Sequence, residues 1–547
     1  MCSIHADDEL GAAGVGDPAP VERRDSMALQ QKCRKCTKPA LIAVRTKECF
    51  CQECFLLQCR QKFRTTFGKA RLIHKGDTAL LAYSGGVASS TLLGLSKEGL
   101  SDAEQRKLRF VPTVCYVDES CVHGWSDNER RRTLGSVHRV LLDSGFPFCV
   151  LPLELVFCED GNIEQYFTRA VVSPQLPDAA SDAAAAGAEE AGEERHCQQG
   201  IEPVPLPPAL PSERSRLVDC VASCKSLTAK EDLVSTLRAR LLSAIAACGH
   251  FDWVLTGESC TRLVIRTLSD ISKGKGAALP YTTAFADRRE KHAAFLRPLR
   301  EFSSKELGFY CHHRQVQVIQ PLEIATKVPE NASLDRLTEA FVLGLQANFP
   351  STVSTVFRTS EKLSVAGGAA VSDERCVLCG SPMDVPFGSD DQTEMFTKAR
   401  SAAGHLLGGV LANTSAAAAT VTSLAAAMAS SAAAAVPSSS AATTATTIAS
   451  PALSSCAAPE NGDSAAGCGG SCSCSGGAAA GASAPSCQQF TPAMLKPFTC
   501  YGCRLVLHDM KQDQQSLFPT RVTRDVQLAS NRSEMREQIK DFLLEDD

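Results

Sequence analysis

The sequence predicts an α/β protein built on a doubly wound, mostly parallel β-sheet. Three observations predict it. Short apolar runs of strand type alternate with helix-like segments from Thr78 to about Phe157 and again beyond Thr228, the pattern of parallel strands joined by crossover helices. A glycine pair, Gly85-Gly86, stands where the first strand gives way to the first helix, the place where open α/β sheets bind ligands. Helix-start signals of the Ser/Thr-x-x-Glu type recur at Ser126, Thr228 and Ser303.

Taken in order, Ala79–Tyr83 reads as a buried parallel strand, and Ser84-Gly85-Gly86 leads to a helix that begins around Ser89-Ser90-Thr91. Arg109–Asp118 reads as a second strand, Ser126 with Glu129 opens a helix to about Leu142, and Phe146–Leu153 is a third strand. Thr228 with Glu231 caps a helix carrying Leu233, Leu237, Leu241 and Ile245, with Gly249 placed to end it. Asp252–Thr256 is a strand, Gly257–Leu263 leads into another helix, and Ala294–Leu299 and a helix from Ser303 complete the series.

A chain of 547 residues suggests two or three units with linkers. Residues 1–30 are read as disordered, 31–75 as a basic cysteine-rich unit, and 76–365 as the α/β domain with a disordered insertion at about 174–213. Residues 370–547 form a second cysteine-rich region, interrupted by an Ala/Ser/Thr/Gly tract at about 400–486 that cannot bury enough apolar surface to offset ordering entropy. The start of the chain has neither a basic region nor an apolar core of signal-peptide type, and no uninterrupted apolar run of membrane-spanning length occurs. The reading is a cytoplasmic protein without a membrane partner, in which 26 cysteines serve as thiols and metal ligands rather than disulfides.

Cys33-x-x-Cys36 and Cys51-x-x-Cys54 are two knuckles that can offer four thiolates tetrahedrally, as structural Zn²⁺ prefers, with Cys49 and Cys59 as nearby competitors. A second set, Cys376-x-x-Cys379 and Cys500-x-x-Cys503, flanks the low-complexity tract and reads as a split zinc ribbon, because lengthening a flexible loop costs entropy only logarithmically. Scattered free cysteines are the plainer alternative for both sets. Cys468, Cys472 and Cys474 read as incidental thiols.

The net charge of −5 excludes a protein that is basic all over, yet fourteen Lys and Arg face only Asp25, Glu48 and Glu53 between Arg23 and Lys75. That local excess is a footprint for a polyanion, or else a solvated basic face. Phe50, Phe55, Phe63 and Phe67 can stack bases or pack around the cysteine site; packing is the expectation. At the glycine pair, Ser84, Gly85, Gly86, Ser89 and Ser90 form a candidate phosphate cradle, where backbone N–H groups and a helix N-terminus meet an anion.

Ser84-Gly-Gly-x-x-Ser89 resembles the pyrophosphate loop of the PP-loop ATP-pyrophosphatase superfamily, whose adenine nucleotide alpha hydrolase-like fold is a doubly wound sheet. The order of the cysteine ribbon, Lys62-Phe-Arg64, the glycine loop, Thr256–Leu263 and Lys273-Gly-Lys-Gly276 is similar to the tRNA-thiolating branch. Within that branch, Thr228–Asp232, Gly257–Leu263, Pro350–Leu363 and the split C-terminal cysteine pairs resemble the cytoplasmic tRNA 2-thiolation protein 2 family, over about residues 30–160, 215–385 and 490–545.

The resemblance implies a heterodimer with a paralogous catalytic subunit. The pair would replace the C2 oxygen of the wobble uridine with sulfur in the tRNAs for Lys, Glu and Gln, the sulfur arriving as a thiocarboxylate on a ubiquitin-related modifier. It also implies that active relatives carry Asp where this chain has Ala88, acidic residues where it has Thr261 and Arg262, and a cysteine where it has Leu296 before Arg297-Pro298. Their Cys-x-x-Cys before a helix is missing as well, since Cys220 and Cys224 are spaced differently. Mg²⁺ between phosphates needs oxygen ligands, so no catalytic residue is assigned, ATP is doubtful, and the chain reads as a subunit that binds tRNA and supports its paralogue. Two alternatives remain: an ATP pyrophosphatase using Glu258 or Asp118 as replacement ligands, and a zinc-dependent protein-binding scaffold. Cys260 reads as a small packing residue rather than a nucleophile, and His123, His312 and His313 receive no role.

Overall fold

The computed structural model describes residues 32–45, 48–101, 108–174, 210–290, 292–326, 328–363, 374–384, 491–511 and 518–539. The expected disordered N-terminus, most of the 174–213 insertion, and the 400–486 tract with Cys468, Cys472 and Cys474 lie outside the described residues. The first elements are a hairpin of β1 (Ile42–Arg45) and β2 (Glu48–Phe50), followed by the long helix α1 (Gln52–Ala70). One stripe of α1 buries Phe55, Cys59, Phe63 and Phe67, the i, i+4 spacing that keeps side chains on one helix face.

The glycine loop then joins β3 (Thr78–Tyr83) to α2 (Val87–Leu100). Next come β4 (Val111–Asp118), α3 (Ser120–His123), α4 (Asp127–Ser144), β5 (Phe148–Pro152) and α5 (Asp160–Ala170). The Ser126/Glu129 capping box forms at the start of α4. Helix α6 (Pro211–Ser223) opens with Pro at its first position, inside the stretch assigned by composition to the linker; proline is tolerated there because that N–H has no intrahelical acceptor. After it come α7 (Leu227–Cys248), β6 (Trp253–Leu255), α8 (Cys260–Ser272), α9 (Leu279–Thr283), β7 (Ala286–Asp287) and β8 (Ala294–Leu296). The remaining helices are α10 (Ser304–His313), α11 (Leu334–Asn348), α12 (Thr352–Ser360), α13 (Pro492–Leu495), α14 (Tyr501–Asp509) and α15 (Thr520–Ile539).

The cap of α7 differs from the expectation. Ser226, not Thr228, accepts the N–H of Ala229, while Thr228 Oγ1 instead accepts the N–H of Leu334 at 3.1 Å. A tertiary contact thus claims the hydroxyl that the local pattern assigned to the cap.

The six-stranded sheet has the order β5-β4-β3-β6-β8-β7, parallel throughout except for β7, which runs antiparallel to β8. The chain first builds outward from β3 to β4 and β5, then returns to place β6 on the other side. The topological switch point therefore lies between β3 and β6, which brings the loops after these two strands together. Strand β8 stops at Leu296, where its neighbour β6 ends at Leu255, short of the expected Leu299.

The two faces of the sheet feed two cores. Leu80, Cys115, Cys149 and Val254 point into a core shared with α6, α7, Cys376, Cys500 and Cys503. Ala79, Leu81, Tyr83, Val114 and Tyr116 point into the other, shared with α1, α2, α4, α10, Cys33 and Cys51. The strict alternation along β3 is the period-2 geometry of a sheet covered on both sides. Each cysteine set belongs to the core on a different face.

Candidate functional site

The glycine loop joins β3 to α2. Gly85 lies at φ +78°, a conformation that L-residues rarely adopt, and Gly86 caps α2 without a side chain. Ser84 Oγ stands 3.2 Å from Ser89 Oγ, and Ser89 Oγ donates to the carbonyl of Gly86 at 3.0 Å. Ser89 and Ser90 are buried and Ser84 is exposed. From the β6 side, Gly257 closes the switch point: a Cβ there would sit 2.9 Å from Ser89 N and Ala88 C. Only a glycine lets the two loops approach this closely.

A segment to which sequence reasoning assigned no role crosses this loop. The N–H groups of Ile319 and Gln320 donate to the carbonyl of Gly85 at 2.9 and 3.2 Å, and the Pro321 ring would stand 3.2 Å from a Cβ at Gly85. Trp125 Nε1 donates to the carbonyl of Leu322 at 3.2 Å, holding the far end of the segment. Gln315 and Gln320, both at positive φ, bracket the bend; nothing in their residue types signals it.

The carboxylates that could replace the missing metal ligands, Asp118 and Glu258, are already engaged, and so is Glu119. Asp118, at the end of β4, is buried, accepts the N–H of Ser120 at 3.0 Å and receives Arg130 Nε at 2.7 Å. Glu258 receives Arg266 Nη1 at 2.7 Å and also Arg297 Nε. Burial raises its carboxyl, yet the fields of Arg297 and Arg266 prevail and hold it down at about 2. Glu119 behaves alike: against desolvation, Arg238 and His123 hold it at about 2.

The positions where the resemblance expects catalytic groups are filled structurally. Ala88 is half-buried and Thr261 is buried, its Oγ1 accepting the N–H of Ser304 at 3.2 Å. Arg262 is exposed, with Glu339 at 3.8 Å, and Leu296 is fully buried in the sheet. Cys260 begins α8, buried, with its N–H on the carbonyl of Phe302 at 2.7 Å. Cys220 and Cys224 lie in the core beside α7, and burial pushes the Cys224 thiol up to about 12.

The cysteine sets do converge. The sulfurs of Cys33, Cys36, Cys51 and Cys54 lie within 4.8 Å of one another, and so do those of Cys376, Cys379, Cys500 and Cys503. The contacts Cys36–Cys51 and Cys379–Cys500 are both 3.6 Å; metal–sulfur bonds of about 2.3 Å require tetrahedral edges of about 3.8 Å. Each group can hold one metal ion. Cys49 and Cys59, the competitors, lie outside both groups, and burial pushes the Cys59 thiol up to about 12.

The two groups share one construction. A Cys-x-x-Cys turn is closed by an antiparallel bridge, Lys32 to Pro39 in one and Arg375 to Pro382 in the other. The third cysteine caps a helix, Cys51 for α1 and Cys500 for α14, and the fourth stands in its first turn. A helix N-terminus favours thiolate over thiol, but within each quartet the neighbouring sulfurs outweigh it. The hydrogen bond with Cys51, with burial, pushes Cys54 up to about 12, and those with Cys376 and Cys379 push Cys500 and Cys503 up. Against desolvation, the N–H groups of Cys51, Lys35 and Cys36 hold the Cys33 thiol down at about 6. In the second group, hydrogen bonds from Cys376, Cys500 and Cys503, with the nearby Arg289, hold Cys379 low. Arg240 of α7 clamps this turn through the carbonyls of Val377 and Leu378.

Comparison with known proteins adds the lineage. The sequence model of the family cytoplasmic tRNA 2-thiolation protein 2 matches residues 333–505. Cytoplasmic tRNA 2-thiolation protein 2-B of Xenopus laevis is 33% identical over 563 residues, covering 97% of this chain and 98% of its own. The chain belongs to the cytoplasmic tRNA 2-thiolation protein 2 family. The human cytoplasmic tRNA 2-thiolation protein 2 is 38% identical to this family member over 406 residues, covering 70% of this chain and 77% of its own. Among solved structures, the U34-tRNA thiolase NcsA from Methanococcus maripaludis with its 4Fe-4S cluster aligns at a TM-score of 0.41 and 14% identity, over 64% of this chain and 95% of that one.

Proposed function

We propose that this family member acts in the cytoplasm in tRNA 2-thiolation as a non-catalytic subunit. It binds tRNA and supports a paralogous PP-loop subunit that carries out the chemistry on the wobble uridine of the tRNAs for Lys, Glu and Gln. Sulfur then comes from a thiocarboxylated ubiquitin-related modifier, through the partner. Both cysteine groups hold Zn²⁺ in a structural role, each supplying four thiolates and no open position, as a closed site does.

The observation that carries this reading is the engagement of Glu258 by Arg266 and Arg297. A carboxylate neutralised by two guanidinium groups is a poor ligand for Mg²⁺, and Asp118 is similarly occupied by Arg130. With Ala88, Thr261 and Arg262 at the other positions, the loop keeps its glycine geometry without a carboxylate at any of these three positions for a phosphate-bridging metal. The segment over Gly85 adds to this by using the loop carbonyl for its own two N–H groups.

The test is reconstitution. The chain alone, with ATP, Mg²⁺, thiocarboxylated carrier and tRNA, should form no 2-thiouridine; adding the paralogous subunit should restore product. Product from the chain alone would overturn the reading.

A further inference from the structure

A concave surface lies at the opposite end of β3 from the glycine loop. A cleft of about 690 Å³ opens between the C-terminal half of α1 and the segments leading into β3 and β4. Arg64, Arg71, His74, Lys75 and Arg109 line it, and none of its described lining residues is acidic. The N–H of Gly76 donates to the carbonyl of Arg109 at 2.9 Å, which holds the two segments side by side. Phe67 and Phe110, with centroids 6.0 Å apart, are both buried and give the cleft a packed floor.

Tertiary structure sorts the cations that the sequence spreads across residues 23–75. Arg34 and Lys38 pair within the ribbon with Glu48 and Glu53. Arg60, Lys62 and Lys69 reach Glu98, Glu306 and Glu301 of the α/β domain. Among the described residues, no ion pair engages Arg71, Lys75 or Arg109, and all three are exposed. His74 has Asp77 at 3.8 Å. Among the described residues of this region, Lys32 and Lys35 stay without an ion pair on the ribbon, whereas Arg71, Lys75 and Arg109 gather in one cleft.

We propose that this cleft is a site for the phosphodiester backbone of RNA, with Arg71, Lys75 and Arg109 on phosphate oxygens; the inference rests on the tRNA-binding reading above. Unpaired cations in a groove are what sequence-independent backbone contacts use. The aromatic rings below are buried and offer no protruding anchor of the kind that dominates protein–protein interfaces. Six residues of β3, at about 3.3 Å each, put the cleft about 20 Å from this chain's own glycine loop. RNA held there is presented to another subunit's chemistry.

The experiment compares tRNA binding by the full chain and its Arg71→Ala/Lys75→Ala/Arg109→Ala variant over a salt series. Wild type should bind with log affinity falling steeply with log salt. The triple variant should bind about tenfold or more weakly, with a salt slope reduced by about two to three. Its melting temperature and metal content should match wild type, because all three side chains are exposed. An Arg34→Ala/Lys38→Ala variant, which removes cations that are already paired, should change affinity little. Unchanged tRNA affinity and slope in the triple variant, with wild type binding normally, overturns the cleft alone. Loss of a co-purifying protein with tRNA affinity intact also overturns it, in favour of a protein-docking face. Absence of salt-dependent tRNA binding by wild type overturns both the cleft and the tRNA-binding function.

Discussion

Arg266 Nη1 stands 2.7 Å from Glu258 Oε1, so the acidic residue directly after Gly257 is held by a helix rather than presented to a phosphate. Arg297 takes the other oxygen and continues to Asp287 at 3.0 Å, which Arg289 also binds at 2.7 Å. The chain of ion pairs ends beside the second cysteine group, where Arg289 Nη1 donates to Ser381 Oγ at 3.1 Å. Loop, sheet and cysteine site are thereby one electrostatic unit.

Glu258→Gln should lower stability by roughly 3 kcal/mol, because it leaves buried guanidinium charge uncompensated. The pH dependence has a definite sign. The folded-state carboxyl is held at about 2 against a usual 4.5, so its contribution is complete above the usual value and is lost as pH falls toward the folded one. Urea titrations of wild type and variant should differ fully at pH 7, and the gap should close between pH 4.5 and 2. A constant gap across that range would contradict the assignment.

Introducing an aspartate by Ala88→Asp should not produce pyrophosphate release from ATP. Thr261 and Arg262 still leave the metal without its other carboxylates, and Pro321 still lies on Gly85. A pyrophosphatase-coupled phosphate assay with Mg²⁺ present reads this; turnover in the single variant would mean that Ala88 alone silences the site.

Metal analysis of the purified chain should find two zinc ions. Cys54→Ser and Cys503→Ser should each retain one, since each group has four sulfurs and no substitute ligand within 4.8 Å among the described residues. Cys503→Ser should also lower the melting temperature, because Cys376, Cys500 and Cys503 belong to the same core as α6 and α7. Iron in place of zinc would revise the metal, and one ion per wild-type chain would remove a site.

Gly257→Ala should cost about 2 kcal/mol or more. The added methyl meets backbone atoms of Ala88 and Ser89 at 2.9 Å, and backbone cannot move aside as a flexible side chain can. Chemical denaturation measures it, and a neutral result would mean that the two loops separate easily.

Much of this protein was legible one residue at a time. Strand and helix order follow from apolar periodicity; Ser126 and Ser303 mark their helices because a capping box is complete within four residues. Both cysteine groups follow from knuckle spacing, even across the long tract between Cys379 and Cys500, since metal chemistry imposes its own geometry. The glycine loop is readable because a positive φ at Gly85 demands the residue that stands there.

What the sequence by itself determined, then, is the fold class, the two cysteine quartets and the glycine turn after the first sheet strand, all local chemistry. Only the tertiary structure decided which charges remain available. Glu258 and Asp118 look like spare metal ligands in one dimension, and become ion pairs once α8, β8 and α4 bring their arginines within 3 Å. Fourteen basic residues look like one positive ribbon, until Glu98, Glu301 and Glu306 arrive from far along the chain and cancel part of it. The reason is physical: bond geometry acts between neighbours in sequence, whereas the electric field acts between neighbours in space.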